Sequence, residues 1–76
     1  MPRLKCTFGE FIAIIESNGF VLHRHGATSH RRYRAVIGGK VYFVDVAGHN
    51  DKDEIAPGTL VSMIRQSGLP KRLFRR

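Results

Sequence analysis

Residues 30–47 read HRRYRAVIGGKVYFVDVA, and this stretch decides the fold. Two runs rich in β-branched and aromatic residues flank Gly38-Gly39. A glycine pair between such runs marks a two-residue hairpin turn, because both central positions need a positive φ. Pairing across the turn sets Ile37 opposite Lys40. Counting outward sets Arg34 opposite Phe43, Tyr33 opposite Val44 and Arg32 opposite Asp45. Strand side chains alternate between faces. One face therefore carries Tyr33, Ala35, Tyr42, Val44 and Val46, an apolar set suited to a core. The other carries His30, Arg32, Arg34, Phe43 and Asp45, a basic set suited to water. Arg31 falls on the core side and must carry its charge out of the sheet end along its apolar stem.

Outward from the hairpin, Phe20 to about Arg24 is short, apolar and followed by Gly26, so it reads as a further strand. Upstream, Thr7-Phe8-Gly9-Glu10 has the form of a capping box. Phe8, Phe11, Ile12 and Ile15 follow at helical spacing, and Asn18-Gly19 supplies a left-handed stop. The first helix is thus expected over Phe8–Ser17. Downstream, Gly48 to Ala56 is a polar loop. Pro57-Gly58-Thr59 opens a second helix with proline in its first turn. Leu60, Met63, Ile64 and Ser67 line one face of that helix, and Gly68 ends it. The expectation is an α+β fold of order α-β-β-β-α. It is a three-stranded antiparallel sheet with both helices on one face, since each helix has a single apolar stripe to bury. No repeat or linker divides residues 1–76, so one domain is expected.

Composition narrows the function. The chain has 76 residues, 13 Lys+Arg against 6 Asp+Glu, and a net charge of +7. A chain this short buries only about 60% of its unfolded surface, which leaves no room for a deep pocket. A hydrophobic content of 42% distinguishes it from a disordered basic tail. No apolar run approaches the ~20 residues of a membrane span, and MPRLKCTFGEF lacks the apolar block of a signal peptide, so a cytoplasmic protein is expected. Cys6 alone makes neither an internal disulfide nor a multi-cysteine zinc site. It reads as a small apolar residue ahead of the first helix. The expected partner is a polyanion.

The charge is clustered. His23 to Arg34 reads HRHGATSHRRYR, with four arginines, three histidines and no acid. Lys71, Arg72, Arg75 and Arg76 form a second basic block, for which the bland alternative to a binding role is a solvated tail. A histidine titrates near ~6.5 and exchanges protons at neutral pH, and arginines hold phosphate. Together they suit RNA cleavage, in which His30 deprotonates a ribose 2′-OH while guanidinium groups stabilise the phosphate charge. The residues expected to hold RNA are Arg24, Arg31, Arg32, Arg34, Phe43, Lys71 and Arg72, with Phe43 a stacking platform. Ser29 and His30 point to opposite faces of a strand, which disfavours a nucleophile–base pair. His23 and His25 share a face in a regular strand, and His49 with Asp51, Asp53 and Glu54 could add metal ligands. Surface histidines beside arginines are the preferred reading, so neither metal nor cofactor is expected. The residues leave open a non-catalytic module that binds RNA or DNA, and a module that binds an acidic protein.

Several of these pieces occur together in one family. Asn18-Gly19-Phe20, Ser29-His30 opening the second strand, and the valine-rich third strand ending near His49 are three of them. Glu54-Ile55-Ala56-Pro57-Gly58-Thr59-Leu60, followed by Ile64-Arg65-Gln66-Ser67-Gly68-Leu69, is the fourth. In that order they resemble the HicA family, the small mRNA-interferase toxins of HicA–HicB toxin–antitoxin pairs, over about Cys6 to Leu69. The resemblance implies a fold like a double-stranded-RNA-binding domain. It also implies metal-independent RNA cleavage by the histidine that falls on His30, and a HicB-type antitoxin that covers this histidine. One departure stands out. The family's glycine before Ser-His is Thr28 here, with the glycine displaced to Gly26. The closing run KRLFRR lies beyond the match and could serve RNA or an antitoxin.

Overall fold

The α-β-β-β-α order is the observed one. The structure, a computed structural model, describes residues 4–25, 30–48 and 50–75. Its elements are α1 (Phe8–Ser17), β1 (Val21–His25), β2 (His30–Ile37), β3 (Lys40–Ala47), α2 (Pro57–Ser67) and a short 3-10 helix over Lys71–Phe74. Gly26, Thr28, Ser29 and His49 lie outside the described residues, as does the side chain of His25.

The hairpin has the register its sequence dictates, from Ile37 opposite Lys40 through Arg34 opposite Phe43 to His30 opposite Ala47. Gly38 and Gly39 both take positive φ, at 60° and 79°, as the turn requires. The sheet is antiparallel with β2 in the middle. Tyr33, Ala35, Val44 and Val46 are buried on one face and join Phe11, Ile12 and Ile15 of α1 and Leu60, Met63 and Ile64 of α2 in one core. Both helices therefore cover the same side of the sheet, and the opposite face is open.

Each helix ends where its signals stand. Thr7 accepts from the Glu10 amide, and the Glu10 carboxylate accepts from the Thr7 amide, closing the capping box. The amides of Phe8 and Gly9 donate to the carbonyls of Asp53 and Asp51 at 3.0 and 2.9 Å. The acidic loop is thus docked on the start of α1, whose first N–H groups have no partner within the helix. Gly68 ends α2 in the left-handed conformation, φ 69°.

Two features depart from expectation. The first strand runs Val21–His25, one residue later than its sequence suggests, because Phe20 still belongs to the end of α1. Its amide donates to the Ile15 carbonyl at 3.0 Å, and its ring is fully inside the core. The closing basic block is also more than a tail. Phe74 is buried and stacks on Phe11 with ring centroids 5.1 Å apart, and its carbonyl accepts from the Lys5 amide. Two adjacent apolar residues, Leu73 and Phe74, among four basic ones carry no periodic signal, so composition alone misses this anchor.

Candidate functional site

The open face of the sheet positions most of the basic residues that the sequence singles out. His30 stands at the start of β2, paired with Ala47 and exposed. It lines a shallow depression of about 260 Å³ together with Arg24, Arg31, Arg32 and Asp45. Three arginines and a histidine thus line one depression with a single carboxylate. Arg24 arrives from β1, where it pairs with Arg32 on the neighbouring strand.

Each arginine is held differently. The Nη2 of Arg31 donates to Asp51 Oδ1 at 2.9 Å, and its side chain is only 19% exposed. This resolves the placement of Arg31 on the core side of β2. Its stem runs beneath the sheet end and its charge emerges at the acidic loop, which the α1 amides fix in place. Tyr33 lies beside it, and burial raises the Tyr33 hydroxyl pKa while the Arg31 charge lowers it less. Arg32 forms the expected cross-strand pair, its Nε 3.3 Å from Asp45 Oδ1. Its guanidinium also lies over the Phe43 ring, 4.6 Å from the centroid. Among the described residues, Arg24 has no ion-pair partner.

Arg34 and Phe43 sit further along the same face, paired with each other across the strands. Arg34 is four residues from His30, or about 13 Å along the strand. It belongs to the face but not to the depression. Lys71 and Arg72 are placed elsewhere. The short helix that carries them packs on α1, on the covered side of the sheet, so the structure does not bring them to His30.

The sequence reading misses two participants. Asp51, expected only as one of a loop of acids, holds Arg31. His23 lies at an irregularity in β1. Leu22 pairs with Tyr33 and Arg24 with Arg32, which leaves His23 as an extra residue. The alternation that would give His23 and His25 a shared face is therefore broken between them, and His25 pairs with Arg31. Among the described residues no three His, Cys, Asp or Glu side chains gather at one point.

The chain matches the model of a family described as the HicA toxin of bacterial toxin–antitoxin systems, over residues 8–69. No curated protein and no solved structure matches it.

Proposed function

The chain belongs to the HicA toxin family, and on that premise we propose that it is a ribonuclease whose catalytic group is His30. The observation that carries this reading is that His30 and three arginines line one depression at the end of the sheet. A phosphodiester seated there faces Arg24, Arg31 and Arg32, while the imidazole stands beside it to handle the proton. His30 takes the proton of the ribose 2′-OH, and the 2′ oxygen attacks phosphorus. The bond from phosphorus to the 5′ oxygen breaks, and that oxygen takes up a proton from water while the His30 imidazolium returns its own to solvent. The products are a 2′,3′-cyclic phosphate and a free 5′-OH. The guanidinium groups stabilise the charge that grows on the phosphoryl oxygens, a role that needs no bound metal.

The substrate is mRNA in the cytoplasm, and the physiological inhibitor is a HicB-type antitoxin that covers the basic face. The α-β-β-β-α order suits the double-stranded-RNA-binding-domain likeness that the family carries. No described helix is long and apolar enough to cross a membrane.

The test is incubation of the purified chain with single-stranded RNA in EDTA, beside His30→Ala. Wild type should cut and leave 2′,3′-cyclic ends, and the variant should leave the RNA intact. Binding without cleavage by wild type would make the chain a non-catalytic RNA-binding module. Equal cleavage by both proteins would remove His30 from the mechanism.

A further inference from the structure

The irregularity in β1 sets Arg24 opposite Arg32, but the residue it leaves over, His23, has no role in the chemistry above. In a regular strand, Leu22 opposite Tyr33 on the core side would be followed by His23 on the open face and Arg24 back on the core side. Instead Arg24 is opposite Arg32, an open-face residue. His23 meets Phe43, another open-face residue, with ring centroids 5.4 Å apart and planes at 64°. The extra residue thus turns two consecutive side chains toward one face. A β-bulge does this at the cost of ladder pairing, and bulges that re-aim side chains are concentrated next to functional sites.

What the bulge assembles is unlike a plain phosphate site. Phe43 keeps 37% of its surface exposed on the open face, between exposed Val41 and Asp45. The Arg32 guanidinium lies over its ring, and the His23 ring stands edge-on beside it. Phosphate gains nothing from a phenyl ring. A nucleobase does, because its face stacks on aromatic rings and on guanidinium planes, and its edge is read by imidazole nitrogens. Arg32 lines the His30 depression as well, so the ring cluster and the phosphate site share a wall. A base must be unpaired to reach such a cluster. Of the two α-helices, α1 carries Glu10 and Glu16 and neither lysine nor arginine, a poor surface for duplex backbones.

We propose that His23, Phe43 and Arg32 form a subsite for one unpaired nucleobase adjoining the scissile phosphate, and that His23 determines which base is accepted. The proposal rests on the ribonuclease reading for the identity of its ligand as RNA, and its test separates the two. Single-stranded oligoribonucleotides carrying 2-aminopurine at successive positions are titrated into the full chain bearing His30→Ala, so that the ligand survives. One position should show quenched fluorescence. Phe43→Leu, added to that background, should abolish the quenching and weaken binding by about 5- to 100-fold, the range for one base–aromatic stack. His23→Ala should level the affinities for RNAs that differ only at that base. In the otherwise wild-type chain, His23→Ala should level the cleavage preference through KM with little change in kcat.

Cleavage by wild type whose base preference survives His23→Ala, or quenching that survives Phe43→Leu, overturns the subsite and leaves the ribonuclease reading standing. Duplex RNA bound as tightly as single strands overturns the subsite as well. A wild-type chain that neither binds nor cuts RNA overturns both.

Discussion

Arg31 shows how a residue that looks misplaced in the sequence becomes intelligible in space. The hairpin register assigns it to the core side, a poor place for a charge, and nothing near it in sequence explains that. Its partner Asp51 lies 20 positions away, in a loop whose only local meaning is polarity. Distance in sequence is what hides the pair. Asp51 is largely exposed, so Asp51→Asn should cost under about 1 kcal/mol of stability. The guanidinium would lose its fixed position at the depression, and cleavage should fall by about ten- to a hundredfold. Thermal unfolding and single-turnover cleavage of the same preparation check both halves. Tyr33, beside Arg31, gives a second residue-level expectation. Its pKa is raised above 10.0 in the folded chain by burial. The protein must therefore hold the neutral phenol more firmly than the unfolded chain does. The associated stability is present below pH 10.0 and is lost as pH rises through the higher folded value. Denaturant unfolding between about pH 9 and 11 should show Tyr33→Phe losing less stability than wild type.

At the scale of elements, legibility follows the density of local signals. The hairpin has a glycine turn and two alternating runs, so its register and both its faces are readable, including the Arg32–Asp45 pair. Both helices carry their own start and stop residues. β1 has neither an alternating pattern nor a marked beginning, and it is an edge strand with one neighbour. A bulge there depends on what His23 and Arg24 meet on β2 and β3, which no local pattern records. That is why Arg24 is expected in the site and His23 is not. The close of α2 gives the sharpest stability expectation. Gly68 has φ 69°, and a Cβ there would lie 2.5 Å from Tyr42 Cε1. Gly68→Ala should therefore destabilise by about 2–3 kcal/mol through backbone strain and overpacking, readable as a lower urea midpoint.

Across the whole molecule, two basic clusters stand out within the net charge of +7, and they are unlike. One lies on the open sheet face around His30. The other, with Lys71 and Arg72, rides on a segment whose Phe74 is locked into the core. Phe74→Ala should cost about 3–5 kcal/mol, a large share of the 5–15 kcal/mol typical of whole domains, and should show as an early thermal transition. The division also predicts how salt acts. If RNA lies on the sheet face, three to four phosphate contacts give a slope of log affinity against log salt of about −2 to −3. Arg24→Ala should reduce that slope by roughly 0.7. Lys71→Ala with Arg72→Ala should change it less, and an equal or larger change would place the RNA around the side of the molecule.

The claim at the centre is that the basic face cuts RNA and that His30 does the cutting. Binding and cleavage of one single-stranded RNA, measured side by side for wild type and His30→Ala in EDTA, test it most directly. The variant is expected to bind about as tightly as wild type while its cleavage rate falls by about 10²–10⁴-fold, the usual loss of a general acid–base group. Cleavage that survives the substitution, or binding and cleavage that fall together, would contradict it.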